Sequence, residues 1–238
     1  MRTLGTIREC YHKYVAAGFK NAATYYNCIN MPLFTGPDST RIFEICPPDE
    51  LHLLLGITKH IVDSLNEQWG QNQLNDWLEH HGIRREKYYS GAMNGNACNK
   101  LLNKKLHLLR RKVPKKYLKF VTALEAFNRI KKGCFGKSLS SSYRRDIEKF
   151  EKLYATLDIS YTPKIHILID HVANFCDEFG PLGPLSTQAG ESAHSDFKDT
   201  MKNYFVHELL TNKELYAKKL LEAVNKYNAK HVQNSLKR

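Results

Sequence analysis

Apolar residues recur at helical spacing along almost the whole chain, and this periodicity decides the fold class. Leu51, Leu54, Leu55, Thr58, Ile61, Val62 and Leu65 fall at i, i+3 and i+4, the stripe of one buried helix face. Pro47-Pro48 is the expected opening of that helix, since proline suits a first turn. Short helices are expected at Thr3–Ala17 and Lys20–Cys28, followed by a Pro/Gly/Ser/Asp loop at Pro32–Arg41. Further helices are expected at Asn72–His81, Ala97–Arg110, Pro114–Lys132, Tyr143–Thr156 and Lys164–Phe179. Gly82 and Gly180 close two of them as C′ glycines, and Thr162-Pro163 opens one as an N-cap and N1 pair. Ser186 or Thr187 caps a helix carrying Glu191 to Tyr204, and Lys213–Ala229 is the last. No segment reads as a strand longer than a few residues, so the chain is mainly α, with about ten helices.

Length and composition agree with a packed fold. The 238 residues suffice for one large domain or two small ones, and 42% hydrophobic with 25% charged residues is ordinary globular usage. No run approaches the ~18–20 apolar residues of a membrane span, and Met1–Thr6 lacks the apolar stretch of a secretory signal. Cys10, Cys28, Cys46, Cys98, Cys134 and Cys176 are scattered without a CxxC pair, which points to a reducing, intracellular setting. A net charge of +12 makes nucleic acid the leading partner class, through counterion release. A solvated basic surface is the competing explanation.

Four stretches invite a chemical reading. Gly133-Cys-Phe-Gly136-Lys137-Ser138 has only two residues between its glycines, where a phosphate loop needs four, and reads as a turn. Lys104, Lys105, Arg110, Arg111, Lys112, Lys115, Lys116 and Lys119 gather where Val113-Pro114 breaks one helix from the next. Such a corner can rest on a phosphate backbone without reading sequence, or simply be solvated. His166 and His171 are five residues apart, which on an α-helix turns their rings about 140° from each other. That spacing favours two structural histidines, although both could meet one metal with help from another segment. Glu191 opens a helix after Gly190, where the helix dipole favours a carboxylate, and Lys198 and Lys202 follow on the same face.

Three ordered segments carry a resemblance. They are Leu51-His52-Leu-Leu-Leu-Gly56, then Met93-Asn94-Gly95-Asn96 with Lys100-Leu101, then His166 and His171-Val172 with Glu191-Ser192. Together they resemble the C-terminal part of the V(D)J recombinase catalytic subunit and the Transib-type cut-and-paste DNA transposases. The likeness spans roughly residues 45–229.

That resemblance implies an RNase H-like DDE recombinase, in which two Asp and one Glu hold two Mg2+ or Mn2+ ions for attack on phosphodiesters. Glu191 corresponds to the Glu, and His166 and His171 to half of a Zn2+ site completed by a CxxC. The helices then correspond to the family's helical insertion and C-terminal helices, without the central sheet. Residues 1–45 form N-terminal helices and a loop, 46–160 an insertion-like region with the basic corner, and 161–238 the region of the histidine pair and Glu helix. The family implies DNA as partner, a homodimer and a nuclear location, with no membrane. Asp49 and Asp170 do not occupy the places of the family aspartates. A helix starting almost at Met1 also suggests the back part of something longer. The expectation is a truncated or domesticated remnant without an autonomous active site. The alternative is a non-catalytic helical DNA-binding or protein-interaction module.

Overall fold

The computed structural model describes residues 2–70, 72–86, 91, 93–186, 196–204 and 211–235. It is mainly helical, and among the described residues the only β-type pairing is an isolated bridge between Thr3 and Arg41. The chain divides into two compact units, Met1–Leu185 and Ser186–Arg238.

In the first unit, α1 (Leu4–Ala16) starts in a capping box between Thr3 and Thr6. The expected helix at Lys20–Cys28 is not formed. Phe19, Asn21, Tyr26 and Asn27 all take positive φ, and only a 3-10 turn at Ala22–Tyr25 lies between them. Left-handed backbone at four non-glycine positions cannot continue a right-handed helix. A short α2 (Ile42–Ile45) follows, then α3 (Glu50–Trp69). Its N-cap is Asp49, whose carboxylate accepts from the Leu51 N–H at 3.1 Å, so Pro47-Pro48 precedes the helix rather than opening it.

The stripe read from sequence is largely the core side of α3: Leu54, Thr58, Ile61, Val62 and Leu65 are buried, joined by Leu53 and Ile57, while Leu51 and Leu55 are half-buried. α4 (Gln73–His80) ends as expected at Gly82. The Gly82 N–H donates to the Glu79 carbonyl and the Ile83 N–H to that of Leu78, with Leu78 and Ile83 both buried.

α5 (Gly95–Lys100) and α6 (Leu106–Lys112) are joined by a single π turn at Leu101–Lys105. After a 3-10 turn at Lys115–Tyr117, α7 (Leu118–Cys134) runs through the middle of the core and packs on α8 (Tyr143–Ala155). The Phe127 ring lies tilted at 5.9 Å from that of Phe150 and meets Phe135 edge to face at 6.0 Å. α9 (Pro163–His166) and α10 (Val172–Phe179) are joined by a second π turn, Ile167–His171. Ile165, Leu168, Val172, Phe175 and Cys176 complete the core that α3 and α7 begin.

In the second unit, residues 196–202 are helical (α11) and α12 covers Lys213–Ser235. The Phe197 and Tyr227 rings meet edge to face at 5.7 Å. No helix among the described residues is long and apolar enough to cross a membrane.

Candidate functional site

The second π turn overturns the geometry expected for the histidine pair. A π turn closes i→i+5, so a residue and its fifth successor share a face where an α-helix would splay them. His166 Nε2 and His171 Nε2 lie 3.1 Å apart, with ring centroids at 4.7 Å. Two imidazole nitrogens on one tetrahedral zinc, each at ~2.0–2.1 Å, stand roughly 3.3 Å apart. The pair therefore fits as two ligands of one transition metal. Among the described residues no group of three or more His, Cys, Asp or Glu is arranged to hold a metal ion. The two rings would supply two of the four ligands that a tetrahedral zinc takes.

Both rings are held. His166 Nδ1 lies 2.8 Å from Asp170 Oδ2, which also accepts from the Tyr161 hydroxyl at 2.9 Å. His171 meets the edge of Phe43 at 5.1 Å, and Phe43 in turn meets Phe175. Arg41, beside Phe43, clasps Glu178 of α10 through both guanidinium ends and also bonds Glu44. Burial, then the charge of His166, pull the His171 pKa below the ordinary histidine value, against Asp170. The pair faces a cavity of about 470 Å³ lined also by Arg2, Thr6, Cys10 and Tyr26. Asp170, Tyr161 and Phe43 were missed in sequence. A carboxylate four residues after a helical histidine was the available signal for Asp170.

The other motif residues do structural work around α3. Gly95 sits so near Leu51 that an added Cβ would touch Leu51 Cδ1 at 3.4 Å. A Cβ on Gly56 would overlap the Lys164 side chain, which lies across it. Asn94 caps α5 by accepting from the Ala97 N–H at 2.9 Å, Met93 is buried, and Lys100 donates to the Gly82 carbonyl at 3.0 Å. Asp49 binds His52 as well as capping α3. The first two segments and the histidine part of the third thus lie together in the first unit.

At the basic corner the eight cations separate into two groups. Arg110 is committed internally: its guanidinium makes paired bonds to Glu125 at 2.8 and 2.7 Å and another to Thr122 Oγ1 at 2.8 Å. Its pKa rises through the Glu125 contact. Lys119 Nζ donates to the Thr156 and Leu157 carbonyls, closing the end of α8. Lys104, Arg111, Lys112, Lys115 and Lys116 are exposed and Lys105 half-buried, and no ion pair is formed by any of these six among the described residues. Lys116 rides over the Tyr117 ring at 4.6 Å, and the Tyr117 hydroxyl donates to the Gln68 carbonyl at the end of α3. Between Glu86 and Glu125 the chain has no Asp or Glu at all. That absence was a readable signal, because it leaves the corner nothing local to pair with.

In the second unit, Lys198 and Lys202 are exposed at i, i+4 on α11, and Lys202 pairs with Asp199 at 2.6 Å. Glu191, with Thr187, Gly190 and Ser192, lies outside the described residues.

No protein-family model matches the chain, and no curated protein matches it.

Proposed function

We propose that this chain is the helical, DNA-contacting part of a DDE-transposase-like protein, which grips duplex DNA through its phosphate backbone at the α6–α7 corner. The observation that carries this reading is the set of six cations left without counter-charge in a stretch devoid of carboxylates. The C-terminal end of α6 accounts for some of this charge, since its dipole favours Arg110–Lys112. It does not account for Lys104, Lys105, Lys115 and Lys116, which lie outside that last turn. A polyanion is the partner that such a surface fits.

The packing of the first two motif segments around α3, with the histidine part of the third in the same unit, supports the transposase-like part of the reading, and the histidine turn supports half of a Zn2+ site. Mg2+ or Mn2+ chemistry would need two aspartates in addition to Glu191. Nuclear location and pairing into a homodimer belong to the same proposal. A second reading, a protein-interaction module, is favoured by Phe19, Tyr26, Ile29, Met31, Leu33 and Phe34, which are all exposed on one stretch.

Binding to a 30-bp duplex, measured by fluorescence anisotropy across salt concentrations, tests the proposal. Replacing Lys104, Arg111, Lys112, Lys115 and Lys116 with Gln is expected to flatten the log–log salt slope by roughly 3–5. Unchanged affinity and slope would remove the corner as the contact and leave the interaction reading.

A further inference from the structure

We propose that Asp170 and Tyr161 are positioning residues that fix the tautomer of His166, so that the π turn presents its Nε2 lone pair to a transition metal. The inference rests on the half-site reading above and concerns how the half-site is prepared.

The hydrogen bonds form a chain. The Tyr161 O–H donates to Asp170 Oδ2 at 2.9 Å, and the same oxygen lies 2.8 Å from His166 Nδ1. A carboxylate only accepts, so His166 carries its proton on Nδ1 and leaves Nε2 as a bare acceptor. His171 Nε2, 3.1 Å away, is then the donor, and its proton fills the place between the two rings. His166 would offer that lone pair to a metal as it stands. His171 must release its Nε2 proton and take one up at Nδ1, so two neutral rings become two neutral ligands without net proton release. Carboxylate partners on the far nitrogen are the usual means by which a ligating imidazole is oriented and made more basic. Here the carboxylate comes from inside the π turn, four residues after His166. The same turn that aligns the two Nε2 atoms therefore also supplies the group that orients one of them.

Asp170 and Tyr161 are exposed, so their removal does not threaten the core. The test uses the full chain with 15N-labelled histidine at pH 7.5, reading tautomers from long-range 1H–15N correlations and affinity from titration with Zn2+ alone. In the unmodified chain His166 is expected as the Nδ1–H tautomer. Asp170→Ala should give a mixture of tautomers and weaken Zn2+ binding about 10–100-fold. Asp170→Asn, which keeps an acceptor oxygen, should restore much of both, and Tyr161→Phe should have the smaller effect. Unaltered tautomer and affinity in Asp170→Ala would overturn the proposal. If the unmodified chain binds no Zn2+ yet Asp170→Ala loses the Nδ1–H tautomer, the half-site reading fails and the positioning role stands. If it binds no Zn2+ and the tautomer is also unmoved, both fail.

Discussion

The two π turns use one backbone device for different ends. Each inserts an extra residue into a long helix, and each finishes on a residue with similar backbone, Lys105 at φ −120° and His171 at φ −126°. The first turn is pinned from outside. Asn128 of α7 donates to the Leu102 carbonyl at 2.9 Å, and Lys131 reaches Asn99 and Asn103 at 2.7 and 3.0 Å. Burial lowers the Lys131 pKa, as expected of an ammonium half-withdrawn from water. The second turn is held mostly from within its own stretch, by Asp170 and Tyr161, and leaves two imidazole nitrogens facing a cavity. A π turn is thus a means of register. What it brings together decides whether the result is a seam between helices or a site.

The sharpest contrast lies between the buried and polar sides of these turns. Leu101 and Leu168 are both fully buried, and replacing either with Ala should cost about 2–5 kcal/mol in denaturant unfolding. Asn128→Ala leaves the Leu102 carbonyl without its donor, and a loss of about 1–3 kcal/mol is expected in the same measurement. His166→Ala should lie within about 1 kcal/mol of the unmodified chain, because that ring is about half exposed. If His166→Ala proves as costly as Leu101→Ala, the histidine turn is a structural seam like the first one.

Acidity separates the turns in another way. His171 has a folded pKa below its unfolded value, so the unfolded state binds the extra proton first. Its contribution to stability is complete above about pH 6.5 and is lost as pH falls toward the depressed folded value. Unfolding midpoints measured between pH 7.5 and 5 should fall, and His171→Asn should reduce the fall. A slope unaltered in that variant would place the titrating group elsewhere. The smallest effect is expected at Gly56, beside the second turn. Gly56→Ala removes a helix-interior glycine, worth up to about 1 kcal/mol, and requires the Lys164 side chain to swing aside from Cδ outward. Marked destabilisation there would show that Lys164 is held more firmly than its position implies.

Much of the helical framework was legible because local chemistry and packing agree. The α3 stripe, the Gly82 ending and the Thr162-Pro163 start all match the observed elements. The π turns were not legible, since an apolar pattern tolerates one extra residue without losing its buried side. This is why five residues of α-helix placed His166 and His171 apart when the structure places them in contact. The Lys20–Cys28 stretch reads as helix by pattern, and its left-handed residues are a matter of local backbone that no periodicity encodes. For the basic corner, charge was visible in sequence. Its division was not, because Arg110 finds Glu125 fifteen residues away across a helix pair and Lys119 finds the end of α8.

The proposed contact between DNA and the α6–α7 corner would shield the lysines that make it. Amine-reactive footprinting of the full chain, with and without a 30-bp duplex and read by mass spectrometry, tests it most directly. Lys104, Lys105, Lys112, Lys115 and Lys116 should lose reactivity together when DNA is bound, while Lys13 on α1 keeps its own. Bound DNA with those five lysines as reactive as before would place the contact elsewhere on the chain.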